Sequence, residues 1–123
     1  MKNFLSLIFL TLSFLTYSQN VAPTVADATA TITEGATGQS INVTVSDDDS
    51  GDTWTLSVVS APSVGTVTVN GNLSFTYNHD GSEGNEVTFT YRATDDKNNE
   101  SSIATVTITV TGVNDMPTVE EIT

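Results

Sequence analysis

The sequence has no cysteine and very little positive charge. Three Lys and Arg residues stand against 15 Asp and Glu residues in 123, so the formal net charge is -12. Without cysteine the chain can form neither a disulfide nor a thiolate metal site, so core packing or a metal bound by oxygen ligands must stabilise the fold. So few basic side chains argue against nucleic acid and anionic membrane surfaces as partners, because both are recognised through Lys and Arg.

The sequence also has few groups suited to catalysis. His79 is the only histidine and lies in a turn-like Asn-His-Asp-Gly segment, where we expect an exposed polar side chain. No second imidazole and no nucleophile-elbow serine accompany it, and a zinc site would need more His or Cys. The paired carboxylates lie in predicted loops without an apolar pocket to raise a carboxyl pKa. We therefore expect no enzymatic activity.

The long apolar run is confined to the amino-terminal end. Lys2 supplies a short positive start, residues 4–15 are almost wholly apolar, and small residues follow at positions 16 and 18. This pattern is typical of a secretory signal peptide, which we place at residues 1–18. Because the run is short for a membrane span, an uncleaved anchor is the less favoured alternative. We expect an exported mature chain, secreted or at the cell surface and not inserted in a membrane.

From Val21 onward the pattern alternates between apolar and polar residues, with Gly, Asn, Asp and Pro between the runs, and no run has helical spacing. Short strands at intervals of about ten residues are typical of an immunoglobulin-type sandwich. We predict an all-β, seven-stranded antiparallel Greek-key sandwich over residues 19–115. The predicted strands are residues 24–33, which we expect to be broken, 39–46, 53–60, 65–69, 72–77, 86–94 and 101–111.

The aromatic residues of the predicted sandwich fall mostly on the inward register. Core packing is therefore the favoured role for all five over stacking on a ligand. Threonine is frequent on the outward positions, where it has a high β-propensity, although a flat threonine face could also contact a partner. The aromatic residues are Trp54, Phe75, Tyr77, Phe89 and Tyr91.

Negative charge is densest between the second and third predicted strands. The segment Ser46 to Asp52 carries four carboxylates in seven residues. Such close like charges are unfavourable unless a cation or water screens them, so calcium is the first hypothesis and a solvated acidic turn is the alternative. An EF-hand is rejected because the other ligand positions and the flanking helices are missing.

The two ends of the predicted domain contain similar segments. Asn20-Val21-Ala22-Pro23-Thr24-Val25 is echoed 94 residues later by Asn114-Asp115-Met116-Pro117-Thr118-Val119. The offset is about the length of one sandwich domain, so residues 116–123 are predicted to be a linker or the start of a next repeat. A disordered tail with a chance match is the alternative.

Four short motifs resemble those of the bacterial cadherin-like tandem repeats, in the same order. They are Ile32–Gly35, Val45–Asp49, Phe89–Asp95 and Asn114–Pro117, within a similarity that covers about Val21 to Pro117. The resemblance implies a calcium-binding sandwich module in exported adhesins and other surface proteins, with neighbouring repeats, surface proteins or glycans as partners. A carbohydrate- or protein-binding sandwich without a metal requirement is the alternative function.

Strand direction sorts the acidic residues into two groups. In an alternating sandwich the loops after strands two and six lie at one end, here called the upper end, beside the incoming Asn20. The loops after strands one and seven lie at the opposite, lower end. Each end then holds oxygen donors from separate loops, as calcium needs, since it takes about six to eight oxygen ligands.

The resemblance to cadherin-like repeats also implies which residues bind the metal. In such repeats calcium lies at the junctions between domains. By that resemblance Asp47, Asp49 and Asp95 would serve the upper junction. Glu34, Asn114 and Asp115 would serve the lower junction. The closing Asn-Asp-Met-Pro motif lacks the first Asp of the animal linker pattern, and fewer charged ligands imply weaker calcium binding.

Overall fold

The computed structural model describes residues 19–117, 119 and 121. The predicted signal peptide, residues 1–18, lies outside the described residues. The described residues form nine strands and no helix, and so no helix among them is long and apolar enough to cross a membrane. The strands are β1 (Thr24–Val25), β2 (Ala28–Thr33), β3 (Gln39–Asn42), β4 (Val45–Ser46), β5 (Trp54–Ser60), β6 (Thr66–Val69), β7 (Ser74–Asn78), β8 (Glu86–Asp95) and β9 (Ala104–Thr111).

Two main sheets form the sandwich. One sheet has the order β2-β9-β8-β5, the other has the order β3-β7-β6, and β1 and β4 make a small two-stranded sheet. The inward side chains of both main sheets form one core. At its centre Phe75 contacts Phe89 and Tyr91 edge to face, with ring centroids 5.2 and 5.4 Å apart. Each such aromatic pair adds about 0.5–1.5 kcal/mol beyond the apolar area it buries.

The predicted all-β sandwich is confirmed, with two differences in detail. The strand count is nine because the first two predicted strands are each divided into two. In addition, β2 pairs with β9 in parallel, whereas the other strand pairs are antiparallel. The first strand divides because β1 pairs with β4, while β2 pairs with β9 in a main sheet.

The segment between β1 and β2 is held by hydrogen bonds that replace those of a strand. The Tyr91 hydroxyl donates to the Ala26 carbonyl oxygen at 2.6 Å. Asp27 Oδ1 accepts from the Thr105 amide at 2.7 Å. These two bonds pair the Ala26 carbonyl oxygen and the Thr105 amide. The chain can therefore pass from the small sheet to a main sheet without leaving these polar groups unpaired.

The expected exposed position of His79 is wrong. The side chain is buried, and its Nδ1 accepts from the Gly35 amide at 3.1 Å and from the Gly81 amide at 3.0 Å. The ring turns inward because two adjacent turns each present a backbone donor that needs an acceptor. His79 therefore joins the β2–β3 turn to the loop that follows β7.

Candidate metal centre

The upper end of the sandwich joins the β4–β5 loop (residues 47–53) to the β8–β9 loop (residues 96–103). The side-chain Nδ2 of Asn20 donates to Asp95 Oδ2 at 2.6 Å, where β8 ends. The next residue, Val21, donates its backbone N–H to Asp49 Oδ2 at 2.6 Å. Two successive residues of the incoming chain thus bind acidic residues from both sides of the upper end.

Three carboxylates of the β4–β5 loop form the upper acidic group, defined by Asp47, Asp49 and Asp52. One oxygen from each lies within 4.8 Å of the others. The loop folds back because the Asp49 amide donates to Asp47 Oδ1 at 2.9 Å and the Asp52 amide approaches the Asp49 carbonyl oxygen at 3.4 Å. Gly51 permits this turn with a φ of 91°, in the region that favours glycine.

Two oxygens of the upper acidic group are buried without a hydrogen-bond partner. They are Asp47 Oδ2 and Asp52 Oδ2, and the Asp52 side chain as a whole is only 9% exposed. Burying an unpartnered carboxylate oxygen is unfavourable, and such atoms are rare in folded proteins. A hard cation with oxygen ligands would satisfy both atoms and reduce the repulsion among three like charges. The donor set therefore fits calcium.

Asp95 lies outside the upper acidic group and organises its own loop. Its Oδ1 accepts from the Lys97 and Asn99 amides, both at 2.8 Å. Its Oδ2 accepts from the side chains of Asn20 and Asn99. Burial acts to raise the pKa of Asp95, but the hydrogen bonds from Asn99, Asn20 and Lys97 lower it to about 2. The carboxylate is therefore charged throughout the physiological range.

The lower end holds a second, more exposed group of carboxylates. Oxygens of Glu34, Glu83 and Asp115 lie within 4.8 Å of one another, and the latter two residues are exposed. Glu34 Oε2 also accepts from the Val113 amide at 3.0 Å, which ties the β2–β3 turn to the segment after β9. Asn114 is exposed. The structure thus brings Glu34 and Asp115 together and adds Glu83 to them.

Sequence reasoning missed two residues of the upper end. Asp52 was part of the acidic stretch, but only the fold of the loop turns it inward beside Asp47 and Asp49 while Asp48 points outward. The spacing Asp-x-Asp-x-x-Asp is the signal that could have indicated it. Lys97 was also missed, although its Nζ donates to Asp52 Oδ1 at 2.5 Å and to Asp96 Oδ1 at 2.9 Å.

The fold is thus an immunoglobulin-like sandwich with a group of carboxylates at each end. The family model of the bacterial cadherin-like domain matches residues 20–112. The chain belongs to that family, so the resemblance is confirmed, and family membership supports a β-sandwich module of the structural or adhesive class. The fourth motif, Asn114–Pro117, lies beyond the matched residues. Bacterial cadherin-like domains occur in extracellular or surface proteins and are typically non-enzymatic.

Several solved structures are similar to this chain. An endo-fucoidan hydrolase of glycoside hydrolase family 107 has 22% sequence identity and a TM-score of 0.51, over 76% of this chain and 14% of the hydrolase chain. The chain therefore spans 14% of that protein's length, and the likeness concerns the fold. The M1 domain from titin has 15% identity and a TM-score of 0.44, over 77% of this chain and 100% of that chain. The PKD domain from human KIAA0319 has 14% identity and a TM-score of 0.45, over 85% of this chain and 96% of that chain.

No match was found among curated proteins.

Proposed function

We propose that the chain is a calcium-binding structural and adhesive module of a secreted or cell-surface protein, in which calcium stiffens the junctions between domains. The observation that carries the proposal is the pair of buried, unpartnered oxygens of Asp47 and Asp52 within one group of three carboxylates. Family membership supports the same function, since cadherin-like domains generally bind calcium.

At the upper end, Asp47, Asp49 and Asp52 would hold the ion, with Asp95 supporting the neighbouring loop. Val21 already donates to Asp49, so an ion on Asp49 would also restrain the incoming chain. Three protein carboxylates are a small ligand set, and extracellular calcium modules of this kind bind with a Kd of roughly 10⁻⁴–10⁻³ M. Calcium would therefore supply charge neutralisation and stiffness to a domain that has its own core.

At the lower end, Glu34, Asn114 and Asp115 would contribute to a second site together with Glu83. Because this group is exposed, a following domain could supply the missing oxygens. Residues 116–123 would then act as a linker or the start of a next repeat, with a neighbouring repeat as the partner. Met116 and Val119 support this role, since both are largely exposed here, at 87% and 91%.

The direct test is thermal unfolding of the protein in calcium, in magnesium and in chelator, at matched ionic strength. Calcium at about ten times Kd should stabilise the folded state by about 1.4 kcal/mol. For a domain of this size that corresponds to several degrees in Tm. Magnesium should have less effect, because it requires a stricter octahedral geometry than a loop of this kind offers.

Two variants of the β4–β5 loop give a matched control. Asp47→Asn removes a charge from the upper acidic group, whereas Asp48→Asn removes the same charge from an exposed neighbour outside it. The calcium-dependent increase in Tm should shrink in the first variant and persist in the second. A Tm indifferent to calcium in the unmodified protein would contradict the proposal. Saturable binding on a glycan array, independent of calcium, would instead support the alternative of a metal-independent binding module.

A further inference from the structure

The ammonium group of Lys97 links the two loops of the upper end directly. Lys97 belongs to the β8–β9 loop, and its Nζ donates to Asp52 in the β4–β5 loop as well as to its neighbour Asp96. Asp52 therefore presents one oxygen to the ammonium and the other, unpartnered oxygen to the upper acidic group.

We propose that Lys97 is a tethered cation that competes electrostatically with calcium for the upper acidic group. This inference rests on the proposed function and adds the residue that regulates its metal site. In the absence of calcium, Lys97 supplies the positive charge that keeps Asp52 buried and the two loops joined. When calcium binds the free oxygen of Asp52, two cations share one carboxylate and repel each other.

The surroundings of Lys97 allow it to yield to the ion without disturbing the core. Its side chain is 48% exposed, and its second partner, Asp96, is 47% exposed. The ammonium can therefore move toward Asp96 and solvent when calcium arrives. Asp52 cannot move in the same way, because its side chain is only 9% exposed. The carboxylate stays in place while its counter-ion changes.

Removing the ammonium should therefore tighten calcium binding. Three carboxylates would then lack an internal counter-charge, and the bound ion would no longer face a like charge across Asp52. We expect calcium affinity to increase by about tenfold or more, because charges interact strongly at such short range in a partly buried setting. In chelator the same substitution should lower Tm, because the direct Lys97–Asp52 contact between the loops is lost.

The test is calorimetric calcium titration of the full chain and four variants, with Tm measured in chelator and in saturating calcium. Lys97→Gln and Lys97→Met remove the ammonium, and Lys97→Arg keeps a cation. Arg92→Gln is the matched control, since it removes the same charge from a surface pair with Glu100 outside the upper acidic group. We expect about tenfold tighter binding for the two neutral Lys97 variants, near-unchanged binding for Lys97→Arg, and less than about threefold change for Arg92→Gln because solvent screens its charge.

The outcomes separate this inference from the proposed function. If the unmodified chain binds calcium and the neutral Lys97 variants bind it equally or more weakly, the competition is refuted while the proposed function stands. If only the neutral Lys97 variants bind, the competition is supported and calcium is not a ligand of the natural chain. If no variant binds calcium, both are overturned. An equal gain in calcium affinity in Lys97→Gln and Arg92→Gln would also refute the competition, because the change in net charge alone would explain that gain.

Discussion

At the scale of single residues, two buried polar side chains hold loops by accepting backbone hydrogen bonds. His79 does so at the lower end and Asp95 at the upper end. Both replace backbone partners that the irregular chain cannot provide for itself. The shape of the loops at each end therefore depends on one side chain. The contribution of each side chain can be tested by substitution.

Replacing His79 with alanine should destabilise the protein by about 0.5–1.5 kcal/mol for each of the two hydrogen bonds that its ring accepts. The affected amides are those of Gly35 and Gly81, which should also exchange their hydrogens faster. Urea unfolding and hydrogen exchange measure the two effects. Thr37→Ala, at an exposed position of the same turn, should change stability by less than about 0.5 kcal/mol. Equal stability of the two variants would show that the imidazole is dispensable.

Asp95 should make stability depend on pH in the acid range. Its pKa is lowered in the folded protein from 3.8 to about 2, so the unfolded chain takes up a proton first as the pH falls. Its stabilising contribution is complete above about pH 5 and is lost progressively as the pH falls through 2. In chelator, Asp95→Asn should have a lower Tm at neutral pH and a shallower decline between about pH 4 and 2. Parallel pH profiles for the two proteins would refute this role.

At the scale of strands and turns, Gly65 precedes β6 at a position where no other residue fits. Its φ is +73°, and an added Cβ would collide with the Asn78 carbonyl oxygen and lie 2.7 Å from the Tyr77 hydroxyl oxygen. That hydroxyl donates to the Val64 carbonyl oxygen at 2.7 Å, so it cannot move away without losing the bond. The turn thus positions β6 against β7 through direct contact.

Gly65→Ala should therefore lower the free energy of unfolding by more than backbone strain alone, which contributes about 1–3 kcal/mol for such a conformation. Gly71→Ala is the matched control, because Gly71 has a similar φ of +82° with no atom near the added Cβ. Chemical denaturation of both variants should show the larger loss of stability for Gly65→Ala. A larger loss for Gly71→Ala would refute the steric argument.

The sequence predicted the strands better than the loops. Period-two alternation identified the inward residues, such as Phe75, Phe89 and Tyr91, because burial on one sheet face imposes that pattern directly. The change of sheet between β1 and β2 was not predictable in detail, because it depends on a hydrogen bond from the distant Tyr91. The positions of His79 and Asp52 also depended on contacts between loops, which leave no periodic signal.

At the scale of the whole molecule, negative charge dominates, with a net charge of -12. Self-repulsion of this kind destabilises a compact chain, and salt screens it. Raising NaCl from about 20 mM to about 0.5 M in chelator should therefore raise Tm, because the loss of the few exposed ion pairs is a smaller effect. A decrease in Tm would show that the ion pairs outweigh the repulsion. When ionic strength is held constant, calcium should still raise Tm, because it binds the folded protein as well as screening its charge.

The strand order also determines how the molecule responds to force. The incoming chain meets the upper end at Asn20, whereas the chain after β9 meets Glu34 at the lower end. Between them β2 and β9 run in parallel, paired from Ala28 with Val106 to Thr33 with Thr111. Pulling on the two ends would slide these strands lengthwise past each other and load their hydrogen bonds together, not one after another. Such an arrangement resists tension applied to the two ends of the domain.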